Sequence, residues 1–100
     1  MEKRSPHYKL DTIKDTFQKV SKLRLSRIAE LNRFELGLKY EEVVSVIQSL
    51  KYHHFYKSMT TYADHRVWQD VYHFEYNALS LYIKFMRDSE GYLIISFKKR

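Results

Sequence analysis

The chain has 100 residues, 44% of them hydrophobic, which suits one small core better than two, so a single domain over residues 1–100 is expected. Cysteine is absent, which excludes disulfides, thiolate zinc sites and cysteine nucleophiles and suits a reducing cytoplasm, the expected location. The 18 Lys and Arg outweigh the 12 Asp and Glu for a net charge of +6, a balance that favours an anionic partner. No apolar run approaches the ~20 residues of a membrane span, so no membrane partner is expected.

Residues Met1 to Pro6 have no apolar run behind them, and no signal peptide is expected. Leu10, Ile13, Phe17 and Val20 recur at spacings of three and four, one face of a helix. Leu23-Arg24-Leu25 alternates and reads as a short strand. Ser26 is a natural N-cap for a second helix through Leu36, with Gly37 as its left-handed stop. Tyr40, Val43, Val44, Ile47 and Leu50 form the apolar face of a third helix, and Glu41 and Glu42 suit the positive end of its dipole.

The second half changes period. Phe55–Tyr62 and Val67–Tyr76 read as strands rich in aromatic and β-branched residues. Leu79, Leu81, Ile83 and Phe85 alternate with Ser80, Tyr82, Lys84 and Met86. Leu93, Ile95 and Phe97 alternate with Tyr92, Ile94, Ser96 and Lys98. Asp88-Ser89-Glu90-Gly91 between them reads as a hairpin turn. Helices first and an antiparallel sheet after them predict an α+β fold, with the N-terminal helices packed on one face of a C-terminal sheet. The other face would then carry Tyr82 and Lys84, with Lys98 on a neighbouring strand. Such a face suits an RNA backbone, and by pattern alone it suits bulk water better.

The chain has no Gly-rich phosphate loop, no G-x-S-x-G and no H-E-x-x-H. His53 and His54 are adjacent, and on a strand they would face opposite sides, a poor basis for shared metal ligation. Asp64-His65 reads as a turn as readily as a metal site. Asp70 and Glu75 fall on opposite faces of a regular strand, which removes a paired-carboxylate mechanism. Cleavage of RNA through its own 2′-hydroxyl needs a base, positive charge around the phosphorus and an acid for the 5′-oxygen. Lysine, tyrosine and histidine can supply these without a metal.

One stretch narrows the field. Phe55-Tyr56-Lys57-Ser58-Met59-Thr60-Thr61-Tyr62, then Asp64-His65, then Val67-Trp68-Gln69-Asp70-Val71-Tyr72, resembles the motility quorum-sensing regulator (MqsR) family of mRNA interferase toxins. Met1-Glu2-Lys3-Arg4, Pro6-His7, Glu35-Leu36-Gly37-Leu38, Val46-Ile47, Leu81-Tyr82 with Lys84, and Ser96-Phe97-Lys98 extend the likeness nearly end to end.

The resemblance implies a RelE-like ribonuclease fold and a metal-independent, cofactor-free endoribonuclease. Its substrate would be single-stranded mRNA, cut near GC-containing triplets, with arrest of translation and growth and links to biofilm formation. It implies a cognate zinc-binding helix-turn-helix antitoxin of the MqsA type, and operator DNA bound only through the toxin–antitoxin complex. Carried over residue by residue, it implies catalytic roles for Lys57, Gln69, Tyr82 and Lys98, and RNA contacts for Tyr56, Met59 and Lys84. The stretch His73-Phe74-Glu75-Tyr76-Asn77 departs from the family's basic, proline-containing loop, and His73 would there replace a basic RNA contact. The rival reading is a non-catalytic nucleic-acid-binding or antitoxin-binding regulator. The lack of a helix-turn-helix-like unit with a basic recognition face speaks against the first, and retention of all four catalytic residue types against the second.

Overall fold

The computed structural model describes residues 1–100. In chain order the elements are β1 (Glu2–Lys3), α1 (Leu10–Thr16), α2 (Arg27–Leu36), α3 (Tyr40–Ser49), β2 (Phe55–Thr60), β3 (Trp68–Tyr76), β4 (Leu79–Arg87) and β5 (Leu93–Lys99), with short 3-10 turns at Val20–Lys22 and Tyr52–His54. The five strands form one sheet in the order β1-β2-β3-β4-β5, every neighbour antiparallel. The helices lie on one face of it, as the α+β expectation requires.

Period-two alternation positions the core. Leu81, Ile83 and Phe85 on β4 and Leu93, Ile95 and Phe97 on β5 are all buried. They pack with Tyr72 of β3 against Leu10, Ile13 and Phe17 from the first helical region, Ala29 of α2, and Val43, Val46, Ile47 and Leu50 of α3. Burying one such side chain stabilises the fold by about 1.5–3 kcal/mol, so this single layer carries most of the stability.

The helix ends follow their signals. Ser26 caps α2 by accepting the Ala29 N–H at 3.0 Å, and Gly37 closes it in the left-handed region at φ 71°. Glu42 stabilises the start of α3 by accepting the Lys39 N–H at 2.9 Å.

Several boundaries differ from expectation. Helix α1 stops at Thr16, and Val20 sits in the following 3-10 turn, 39% exposed, because Phe17 already fills the core at that point. Leu23–Leu25 is not a strand: Leu25 makes one parallel bridge to Ile95, with Ile95 N donating to Arg24 O and Ser26 N to Ile95 O. This segment caps the outer edge of β5. In α3 the buried set is Val43, Val46 and Ile47, with Leu50 just beyond, so the stripe is rotated away from Tyr40 and Val44. His53 and His54 lie on a 3-10 turn with ring centroids 4.1 Å apart, not on opposite sides of a strand. Strand β2 ends at Thr60, and β3 begins at Trp68.

The stretch after Tyr72 that departs from the family's loop lies on a strand, as expected for Val67–Tyr76. Strand β3 runs through Tyr76, and the reversal is a two-residue turn, Asn77-Ala78, between the paired Tyr76 and Leu79. Both turn residues have positive φ, 46° and 67°, the requirement of a type I′ hairpin. The β4–β5 turn falls as expected: the Asp88 carboxylate accepts from Glu90 N and Tyr92 N, and Gly91 adopts φ 86°.

Candidate active site

The sheet face away from the helices is built by the residues that alternate with the core. Strand β3 contributes Gln69, Val71 and His73, strand β4 contributes Tyr82, Lys84 and Met86, and strand β5 contributes Ser96 and Lys98. Strand β2 adds Tyr56, Lys57 and Met59 through an irregularity. Phe55 pairs with Tyr72 and Lys57 with Val71, so two residues on β2 answer one on β3. This bulge makes Tyr56 the extra residue and turns it to the same face as Lys57. Its ring stacks on His73, centroids 4.3 Å apart and planes at 24°.

The register then orders the face into rows, because directly paired residues stand about 4.5–5.5 Å apart at Cβ. One row runs Tyr56, His73, Tyr82, Lys98. Tyr82 pairs with both His73 and Lys98, its ring 5.5 Å from the imidazole and 5.1 Å from the Lys98 ammonium. The next row runs Lys57, Val71, Lys84, Ser96. Val71 is fully buried on the helix-free side and is absent from the main core, so flanking side chains, not a helix, cover it. A third row holds Met59 paired with Gln69. All eight residues proposed from sequence (Tyr56, Lys57, Met59, Gln69, His73, Tyr82, Lys84 and Lys98) therefore share one face.

Charge on this face is uneven. Lys57 bonds to the Glu2 carboxylate, and that contact holds the lysine above its usual range and the glutamate below its own. A lysine base at position 57 would need the opposite shift, so Lys57 is a cation at neutral pH. Lys84 is pushed down, first by burial and then by the Lys98 charge. His73 is also pushed down, by burial and then by Arg100, and is neutral at pH 7.

Glu2 and Arg4 are the members of this site that periodicity does not reveal. Strand β1 pairs Glu2 with Met59 at the outer edge of β2, and the Arg4 guanidinium sits 5.8 Å from the Tyr56 ring. Asp70 anchors the segment that follows. This carboxylate is fully buried and accepts from His7 N at 3.0 Å, Tyr8 N at 2.8 Å and Ser58 Oγ at 2.6 Å. Asp64, by contrast, is paired with Arg66 in the turn that connects β2 and β3.

A family model described as "Motility quorum-sensing regulator, toxin of MqsA" matches residues 5–99. The chain belongs to the MqsR toxin family. A curated relative, the mRNA interferase toxin MqsR of Escherichia coli (strain K12), is 42% identical over 100 residues, the full length of both chains. Membership of the MqsR family fits an open, cationic sheet face with no helix over it. No helix is long and apolar enough to cross a membrane.

Proposed function

We propose that this chain, as one toxin domain over residues 1–100, is an endoribonuclease that cuts single-stranded mRNA on its open sheet face. The observation that carries the reading is the convergence of Lys57, Lys84 and Lys98 with Tyr56, His73 and Tyr82 on that one face, in a chain of the MqsR toxin family. The cations attract the phosphodiester backbone, and the exposed Tyr56 ring with its His73 neighbour offers a base a surface to stack on.

Cleavage is intramolecular in the RNA. The 2′-oxygen attacks the adjacent phosphorus, the bond to the 5′-oxygen breaks, and the products carry a 2′,3′-cyclic phosphate and a 5′-hydroxyl. Lys57 and Lys98 stabilise the non-bridging oxygens as charge builds there, and Lys84 adds to that field. The Tyr82 hydroxyl, between His73 and Lys98, donates a proton to the departing 5′-oxygen. Gln69 holds the sugar or phosphate through its amide, and Met59 packs beside it. No step needs a metal. The preferred sites lie near GC-containing triplets, and the outcome in the cytoplasm is arrest of translation and growth.

The partner of this reading is an MqsA-type antitoxin with a zinc-binding module and a helix-turn-helix domain. Together the pair would repress their own operon, with operator DNA touched only through the antitoxin.

The test is a purified cleavage assay on single-stranded mRNA in the presence of chelator, with product ends mapped. Wild type should cut at defined sites, and Lys57→Ala and Tyr82→Phe should lose most of that activity while remaining folded. Intact RNA with folded, antitoxin-free wild type, with and without ribosomes, would leave a nucleic-acid-binding regulator instead.

A further inference from the structure

The open face holds several proton donors and few acceptors. Lys57 is tied to Glu2 and stays protonated, Lys84 and Lys98 supply charge, and Tyr82 is assigned the acid. The face also carries two carboxylates. Glu75 sits at the Asn77-Ala78 end of the sheet, where Ser80 Oγ donates to it. Glu2 sits at the other edge, against Lys57, with its side chain 56% exposed.

We infer that the Glu2 carboxylate is the general base of the cleavage, accepting the 2′-hydroxyl proton from a nucleotide whose phosphate is held by Lys57. The inference rests on the reading of the open face as the cleavage site. Its geometric basis is the Glu2–Lys57 contact. A phosphate drawn to Lys57 brings its own ribose within reach of the carboxylate bonded to the same ammonium. A carboxylate standing in the path of an anionic substrate weakens binding, so its position is a cost that catalysis explains.

Strand β1 fixes this placement from both sides. Met1 O accepts from Thr60 N at 3.0 Å, Lys3 pairs with Ser58, and the Asp70 carboxylate holds the backbone of His7 and Tyr8. The groups acting on Glu2 are Lys57 from β2, and Arg4 and the α-amino group from its own segment, all positive. They keep the carboxylate ionised at neutral pH and ready to accept.

The protons balance. The 2′-hydroxyl proton passes to Glu2 as the 2′-oxygen bonds to phosphorus. The bond from phosphorus to the 5′-oxygen breaks, and that oxygen takes the Tyr82 proton. Water then removes the proton from Glu2 and returns one to Tyr82, which restores the enzyme for the next strand.

The experiment compares wild type, Glu2→Gln, Glu2→Asp and Tyr82→Phe on one RNA oligonucleotide, with kcat and KM measured across pH. Binding is measured with the same oligonucleotide carrying a 2′-deoxynucleotide at the cut site. Glu2→Gln should lose about 100-fold or more in kcat, the usual worth of a general base, and should lose the fall in rate at acid pH. It should bind the uncleavable strand at least as tightly as wild type, since a negative charge has gone. Glu2→Asp should recover part of the rate. Glu2→Gln cutting within about twofold of wild type overturns the inference, as does a loss that appears in binding and KM alone. If Tyr82→Phe is inactive in that case, the open-face reading stands and only the role of Glu2 falls. If Tyr82→Phe also cuts normally, the reading of the face falls with it.

Discussion

The phenol of Tyr56 lies flat against the imidazole of His73, with centroids 4.3 Å apart, although the two belong to different strands and Tyr56 is extra to the ladder. The imidazole is also 5.5 Å from the Tyr82 ring, so His73 joins an exposed aromatic to the tyrosine assigned as acid. In the proposed mechanism, a base stacked on Tyr56 would lie beside the phosphate that Tyr82 acts on.

Removing that link should affect substrate capture more than chemistry. His73→Ala is expected to lower kcat/KM by about tenfold, near the low end of one base-stacking contact, with kcat little changed. His73→Phe should retain most of the wild-type value. Steady-state kinetics on a short RNA decides it, and wild-type kcat/KM in both variants would separate the stack from RNA binding.

Lys84 should set the alkaline limit of activity. Burial and the Lys98 charge lower its affinity for a proton. As pH rises, it therefore loses its charge before an ordinary lysine would, and phosphate stabilisation goes with it. Lys84→Arg keeps the cation at all accessible pH and should move the alkaline fall in rate upward. A pH–rate profile that is the same for both proteins would assign that limb to another group.

Asp70→Ala should destabilise the fold by about 3 kcal/mol, because three hydrogen-bond donors lose their shared buried acceptor. Urea unfolding measures it. The variant should also lose cleavage below its unfolding midpoint, since the segment carrying Glu2 is no longer tied down. A loss of stability under ~1 kcal/mol would show that solvent replaces these bonds easily.

Ala78→Gly should stabilise. Ala78 holds φ 67° in the Asn77-Ala78 turn, where a side chain is strained by roughly 1–2 kcal/mol. Glycine relieves that strain and completes the preferred Asn-Gly pair, at an entropic cost of roughly 0.5–1 kcal/mol. A net gain of roughly 0.5–1 kcal/mol follows, visible as a higher Tm, and an unchanged or lower Tm would contradict it.

Much of this architecture was written in local pattern. Alternation at Leu79–Phe85 and Leu93–Phe97 defined both faces of two strands, because side chains on a strand must point to opposite sides. Ser26 and Gly37 bounded α2, because an N-cap acceptor and a left-handed stop are properties of single residues. The likeness to one toxin family pointed to Lys57 and Gln69 through Phe55–Tyr62 and Val67–Tyr72, to Tyr82 through Leu81-Tyr82 with Lys84, and to Lys98 through Ser96-Phe97-Lys98. Features that depend on neighbours are not legible in local pattern. Val20 falls on a helix face by spacing, but Phe17 already fills that place, and Leu23–Leu25 alternates like a strand yet only caps the edge of β5.

Beyond the N-terminal strand β1, the sequence by itself determined the order of helices and strands, the division of the sheet into an apolar and a polar face, and the residue types available for chemistry. Tertiary structure decided which of those residues meet. Tyr56 and Lys57 are consecutive and should face opposite sides; a bulge, which exists only in the pairing of β2 with β3, puts them on one. Glu2 lies 55 positions from Lys57 and reaches it only because β1 crosses back to the outer edge of β2. Periodicity is a property of one strand, whereas a bulge and a closing edge strand are properties of two, and the meeting of Tyr56, Lys57 and Glu2 on one face rests on the second kind.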